Sequence, residues 1–101
     1  MEYVRTAKYT INEGTFRELS DTVKMGLLPK FQAQTGFIRY GLADMGEQNC
    51  LSISVWNTRE DAVASDTVAA TWTRENLGDK VVLKSSHIGT LAFFEGAPAT
   101  V

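Results

Sequence analysis

The hydrophobic pattern changes its period within one short stretch of the chain, SISVWNTREDAVASDTVAATW at Ser52–Trp72. Up to Trp56, apolar and small polar residues alternate, as they do in a half-buried strand. After Thr58 the spacing of apolar residues becomes three and four, which is typical of an amphipathic helix. The stretch therefore predicts a strand, a two-residue turn and a helix whose buried stripe runs to Trp72.

Alternating patterns elsewhere predict further strands. Together with the first stretch they give four strands, at Tyr3–Thr10, Phe37–Met45, Cys50–Trp56 and His87–Phe94. The apolar segment Lys80–Lys84 stays an unassigned connection, and the terminal GAPATV is expected to fray.

Two segments with helical spacing predict two helices. The first has an apolar stripe made of Phe16, Leu19, Val23, Leu27 and Phe31. It should end or kink near Leu28, because Pro29 costs about 3 kcal/mol inside a helix. The second is expected to begin at a Thr58 cap, with Glu60 and Asp61 complementing the positive end of its dipole. Its buried stripe is predicted to be Ala62, Ser65, Ala69 and Trp72, closed by Leu77.

The order β-α-β-β-α-β is that of the ferredoxin-like α+β fold with an antiparallel sheet. We expect one domain over residues 1–101, with an ordered core at about 3–95. Both helices cover one face of the sheet, yet the strands are apolar on both faces, as Val4 beside Tyr3 and Ile38 beside Phe37 illustrate. A second copy of the chain is the simplest cover for the other face, so a homodimer is predicted.

Composition argues against several classes of protein. Ten basic and twelve acidic residues give a net charge of −2 without a basic run, which argues against binding to nucleic acid or to an anionic membrane. The longest apolar run, Leu91–Phe94, is far shorter than the roughly 20 residues of a membrane span, and no signal-peptide layout is present, so a cytoplasmic protein is expected. One cysteine and one histidine argue against a disulfide and against the usual zinc spacings. No phosphate-cradling glycine run is present, and no metal or organic cofactor is expected.

Three segments, TGFIRYGL, LSISVWNTREDA and VAATWTRENLGD, together resemble the antibiotic-biosynthesis-monooxygenase-like family of dimeric α/β barrels. The resemblance covers roughly residues 3–94. It implies two sheets facing each other in a dimer, with a small pocket between sheet and helices in each subunit. Members of that family include oxygenases that hydroxylate polyketide-like phenols without metal or flavin, as well as proteins that handle quinols or degrade haem. The asparagine, tryptophan and histidine of the haem-degrading branch fall on Ala7, Ser65 and about Glu75 here, so haem degradation is not expected.

The resemblance implies a cofactor-independent monooxygenase that acts on a small aromatic, polyketide-like or quinol substrate. The alternative is a non-catalytic dimer that binds small hydrophobic ligands or serves a stress response. Oxygenation of this kind needs an apolar slot for the ring, a group that favours the deprotonated substrate, and exclusion of bulk water. A binding protein needs only the slot.

Six residues are candidates for that site. The catalytic pair would be His87, as general base, and Arg5, as partner of a phenolate; the pocket would include Arg39, Tyr40, Trp56 and Trp72. Simpler roles remain open for several of them. His87 can be an exposed strand-end residue, Arg5 an ion pair between subunits, and Trp72 part of the core. Trp56 either borders a cavity or plugs the dimer barrel.

Overall fold

The computed structural model describes residues 1–98, and its elements follow the predicted order. They are β1 (Tyr3–Ile11), α1 (Phe16–Gln32), β2 (Phe37–Gly46), β3 (Asn49–Trp56), α2 (Arg59–Asn76), a 3₁₀ turn (Gly78–Lys80) and β4 (Val81–Thr90). All pairs are antiparallel, and the strands lie in the order β2-β3-β1-β4. The ferredoxin-like prediction is confirmed. Part of the GAPATV end, predicted to fray, lies outside the described residues.

Strand pairing assigns each side chain to one of two sheet faces. The face beneath the helices, called the helix face, carries on its central strands Tyr3, Arg5, Ala7, Tyr9, Cys50, Ser52, Ser54 and Trp56. The opposite face, called the open face, carries Val4, Thr6, Lys8, Leu51, Ile53 and Val55. Neither helix covers the open face.

Both helices bury the stripes that their spacing predicts, except that Phe16 and Leu77 at the ends of these stripes are only half-buried. The buried residues are Leu19, Val23, Leu27 and Phe31 in α1, and Ala62, Ser65, Ala69 and Trp72 in α2. Thr58 caps α2 by accepting a hydrogen bond from the backbone N–H of Asp61 at 3.0 Å, as predicted. The small residues of the α2 stripe let this helix lie close to the sheet, and Trp72 fills the space at its end.

Of the two outcomes predicted near Leu28, an end of α1 or a kink, the end is wrong, since the helix continues through Pro29 to Gln32. Proline removes one hydrogen bond to the carbonyl four residues earlier, which belongs to Met25. Met25 is 82% exposed, so that carbonyl lies on the solvent side of the helix. Phe31 is fully buried, and its packing outweighs the lost bond.

The predicted bounds of the last strand are also wrong, because β4 is Val81–Thr90 rather than His87–Phe94. Its early residues pair with the end of β1, where Val81 lies opposite Ile11. It ends at Thr90 because this residue pairs with Tyr3, the first residue of β1. Beyond that point β1 offers no further strand residue for pairing.

The segment after β4 crosses the open face. The backbone N–H of Leu91 donates to the carbonyl of Glu2 at 2.9 Å, and the Phe94 ring centroid lies 5.8 Å from Cζ of Arg39. Arg39 belongs to β2, at the opposite edge of the sheet from β4. Phe93 and Phe94 nevertheless stay 78% and 65% exposed, so the segment leaves large apolar groups uncovered.

Replacing Gly26 of α1 by alanine should destabilise the fold, although alanine is the better helix former. A methyl group at this position would lie 2.6 Å from a ring carbon of Trp72, so the two helices would have to separate. We expect a loss of about 1–3 kcal/mol in the free energy of unfolding, measured in denaturant. Lys24→Ala, on the exposed side of the same helix, is the control and should change stability little. A stabilised Gly26→Ala protein would contradict this packing.

Candidate functional site

A cleft of about 460 Å³ opens between α2 and β4, within the range of roughly 300–1,000 Å³ typical of small-molecule sites. This α2–β4 cleft is lined by Arg5, Tyr9, Asp66, Ala70, Thr73, Arg74, Gly78, Asp79, Leu83 and Ser86. The walls of the cleft are apolar at Tyr9, Ala70 and Leu83, and the charged side chains lie among these residues. The cleft can therefore hold an aromatic ring and contact a polar substituent of it.

Arg5 is the most buried charged residue of the cleft, at 3% exposure. It is buried because it lies on the helix face of the central strand β1, under α2. Its Nε donates a hydrogen bond to Oδ1 of Asp66, and Ser86 Oγ donates to the same oxygen at 3.4 Å. A buried guanidinium needs such a counter-charge. The Asp66 side chain is 41% exposed, so the ion pair lies at the boundary between core and cleft.

The guanidinium retains unused donors. Arginine has five N–H groups, and the bond to Asp66 uses only the one on Nε. Within residues 1–98, none of the other four donates to a protein acceptor. They form a planar fork suited to an anionic oxygen, and in partly desolvated surroundings such a contact is stronger than in water.

A second, much smaller space lies deeper, between sheet and helices. This inner cavity, of about 20 Å³, is lined by Tyr9, Leu19, Val23, Leu27, Tyr40, Leu42, Cys50, Ser52, Trp72, Thr73, Leu77 and Val81. Tyr9 and Thr73 also line the α2–β4 cleft, so these two side chains separate the two spaces.

Burial shifts the pKa values of two titratable groups that line the inner cavity. It raises the pKa of the Tyr40 phenol, although the hydrogen bond that Ser52 Oγ donates to it at 3.3 Å acts the other way. It also raises the pKa of the Cys50 thiol, and the negative charge of Asp44 adds to this effect. Both groups are therefore neutral at physiological pH.

These pKa shifts predict a loss of stability at alkaline pH. A group whose pKa is raised by folding contributes its full stability below the unfolded pKa and loses it as the pH rises through the folded value. For Cys50 that window begins near the ordinary thiol pKa of about 8.5, and for Tyr40 near about 10. Unfolding free energies measured from pH 7 to 11 should fall less steeply in Cys50→Ala/Tyr40→Phe than in wild type. Equal slopes would contradict the assignment.

The structure brings together only some of the predicted site residues. Arg5 lines the cleft, whereas Tyr40 and Trp72 line the inner cavity. Trp72 also belongs to the buried α2 stripe, so its two predicted roles coincide. Trp56 is fully buried in the core; its Nε1 donates to Ser54 Oγ at 2.9 Å, and it lines neither the cleft nor the inner cavity.

The other two candidates lie on the open face. His87 pairs with Thr6 and is exposed, as the simpler interpretation had it, but it lies within β4 and not at a strand end. Arg39 pairs with Val55 and is also exposed. Since Arg5 lies on the helix face, His87 and Arg5 do not meet within one chain. The structure therefore does not bring the two predicted catalytic residues into one pocket of a single subunit, and their catalytic roles stay a prediction.

Sequence reasoning missed Asp66, the partner of Arg5. It follows Ser65 of the buried α2 stripe, so it lies at the edge of the face that α2 turns to the sheet. The available signal was a lone arginine on an otherwise aromatic strand face, because a buried arginine predicts an acidic partner. The residue that supplies it depends on which helix covers β1, and that is a property of the tertiary fold.

Within residues 1–98, no three histidine, cysteine, aspartate or glutamate side chains come together as metal ligands would. In the same part of the chain, no helix is long and apolar enough to cross a membrane.

Comparison with known proteins shows which solved structures share this fold. No sequence-family model matches the chain, and no curated protein matches it. A provisionally assigned antibiotic biosynthesis monooxygenase from Nitrosomonas europaea superimposes with a TM-score of 0.71 at 17% identity, over 94% of each chain. A similarly assigned protein from Bordetella bronchiseptica gives 0.71 at 14% identity, over 91% of this chain and 98% of the other. The chain has the fold of the antibiotic-biosynthesis-monooxygenase-like proteins.

A third match is to SnoaB, a cofactor-independent oxygenase from Streptomyces nogalater. It has a TM-score of 0.62 at 19% identity, over 97% of this chain and 98% of SnoaB. The resemblance stated from the sequence is thereby confirmed at the level of fold. At such identities a shared fold does not carry a shared reaction.

Proposed function

We propose that this protein is a cofactor-independent monooxygenase that binds a small aromatic, polyketide-like or quinol substrate in the α2–β4 cleft. The observation that carries the proposal is the buried Arg5 guanidinium, which presents unused N–H donors in a cleft of about 460 Å³. The fold shared with SnoaB, a cofactor-independent oxygenase, supports the same reaction class.

In the proposed reaction, Arg5 binds the phenolate oxygen of the substrate. A cation at this oxygen lowers the pKa of the bound phenol, and the proton leaves to water at the open side of the cleft. The electron-rich carbanion or phenolate then reacts directly with dioxygen. One oxygen atom becomes a ring carbonyl. The other leaves as water, which takes the hydrogen of the oxidised carbon and the proton released when the phenolate formed. Asp66 holds Arg5 in place and is a positioning residue.

The second part of the proposal is a homodimer formed through the open face. Val4, Leu51 and Ile53 are only half-buried there, and Phe93 with Phe94 is exposed on the segment that crosses it. Contiguous exposed apolar surface of this kind is typical of an interaction site. A second copy supplies a matching apolar sheet, as in the barrel that the resemblance implies.

A non-catalytic ligand-binding protein remains the second candidate. It is favoured by one observation: among the residues that line the cleft there is no histidine, so the predicted general base is missing from it. Such a protein would bind phenols in the cleft without consuming oxygen. Oxygen uptake, measured alongside binding, separates the two candidates.

The position of His87 gives a prediction for the oxygenase. His87→Ala should leave oxygen uptake with a quinol or anthrone-type substrate within about twofold of wild type, because the side chain lies on the face opposite Arg5. Uptake should be followed from pH 6 to 9, where a histidine base would give its own titration step. A loss of 10²-fold or more, as general-base catalysis would produce, would return His87 to the catalytic site.

A further inference from the structure

We propose that the inner cavity is a binding site for dioxygen, placed behind the substrate in the α2–β4 cleft. This inference rests on the proposed function for the identity of its ligand. It concerns a different space, however, from the one that binds the aromatic ring. A cavity of about 20 Å³ has room for one water-sized molecule and is too small for an aromatic ring.

The walls of the inner cavity favour an apolar guest over water. A trapped water needs two to four polar partners. Of the four hydroxyl-bearing residues that line it, Ser52 and Tyr40 are already bonded to each other, with Ser52 Oγ donating to Tyr40 Oη at 3.3 Å. Half of the twelve lining residues are aliphatic, namely Leu19, Val23, Leu27, Leu42, Leu77 and Val81. Dioxygen is small and apolar, so its transfer from water into this cavity is favourable.

The inner cavity is also next to the α2–β4 cleft, in which the aromatic substrate is proposed to bind. Tyr9 and Thr73 form the partition that it shares with the cleft. Tyr9 is half-buried, so a rotation of its ring would join the two spaces without moving the backbone. Dioxygen held behind Tyr9 would be next to the bound ring.

One feature of the lining fits a site that holds an oxidant. Cys50 is the only cysteine of the chain, and it lines the inner cavity. The thiolate is the form of cysteine that oxidises readily. Because burial raises the pKa of Cys50, the group remains a thiol beside the proposed oxygen site.

The proposal is tested with dioxygen itself as the probe. Methyl NMR spectra of the wild-type protein are recorded under oxygen pressure and under the same pressure of argon. Dioxygen is paramagnetic, so methyl groups beside a bound molecule shift more than those that meet it only in solution. We expect the largest shifts at Leu27, Val23 and Leu42, at least about threefold above those of Val63, which is 47% exposed. Shifts of similar size at all four residues would overturn the proposal.

A variant that fills the inner cavity provides the second arm. Val23→Ile adds one methylene inside it, whereas Val68→Ile adds the same group on α2 in a groove elsewhere. Only Val23→Ile should reduce the shifts at Leu27 and Leu42, by about threefold. In turnover it should raise the KM for oxygen by a similar factor and leave the Kd of the aromatic ligand unchanged. Equal behaviour of the two variants would contradict the proposal.

The two arms also separate this inference from the proposed function. If localised shifts occur but no substrate drives oxygen uptake, the inner cavity binds dioxygen and the monooxygenase proposal fails. If oxygen is consumed while the shifts are uniform, the oxygen site is wrong and the proposed function stands.

Discussion

Replacing Arg5 by methionine should lower turnover by about 10²–10³-fold and weaken substrate binding much less, because in the proposed reaction the guanidinium acts on the charge that develops. Methionine keeps a stem of similar length and removes the positive charge. The Asp66 carboxylate loses its partner, but its side chain is 41% exposed and can be hydrated. The measurements are kcat from oxygen uptake and Kd from titration of the aromatic ligand under nitrogen. A variant that keeps wild-type kcat would remove Arg5 from the mechanism.

A spectroscopic readout distinguishes this role from a purely structural one. Phenol and phenolate absorb differently, so the apparent pKa of a bound phenol can be measured without turnover. Arg5→Met should raise that pKa, since the cation that favours phenolate is gone. Asp66→Asn should lower it, because the guanidinium is no longer neutralised by its carboxylate partner. If the ion pair were only structural, the two variants would not shift the pKa of the bound phenol in opposite directions. If both variants shift the pKa in the same direction, Arg5 does not contact the phenolate.

Replacing Ile53 by lysine should convert the proposed dimer into a folded monomer. Ile53 lies on the open face, opposite Thr6 of β1 and Gly41 of β2, near the middle of the sheet. An unpaired lysine buried between two sheets costs several kcal/mol, which weakens dimerisation by 10²-fold or more. In the monomer the same side chain reaches solvent, so the fold should persist.

Sedimentation at micromolar concentration measures this effect. The wild-type protein should sediment at about twice the chain mass of 11.1 kDa, and Ile53→Lys at the chain mass itself. Val63→Lys is the matched control, because Val63 is an exposed aliphatic residue of α2, on the helix side of the sheet. It should sediment like wild type. A folded wild-type monomer would contradict the dimer.

The sequence was sufficient for the elements whose patterns are local. The α2 stripe and its Thr58 cap were predicted correctly, because a spacing of three and four places those side chains on one face whatever surrounds the helix. The end of α1 was missed, because the cost of Pro29 competes with the burial of Phe31, and only the packed structure shows which is larger.

The placement of His87 was not readable from the sequence, because β4 does not keep one alternation. The register shifts between Lys8 and Tyr9, so Leu83 and Ser86, which differ in parity, pair with Tyr9 and Ala7 of the same face. The bulge decides which residues of β4 reach the cleft, and the segment VVLKSSHIGT carries no pattern that marks it. The Arg5–Asp66 pair joins residues 61 positions apart and is likewise a product of tertiary structure.

Oxygen uptake by protein treated with a chelator, with an anthrone-type substrate and no added flavin, tests the central claim most directly. We expect equimolar consumption of dioxygen and substrate by wild type, a loss of about 10²–10³-fold in Arg5→Met, and little change in His87→Ala. Tight binding of the same substrate with no oxygen uptake at all would contradict the monooxygenase claim. The protein would then be a ligand-binding protein.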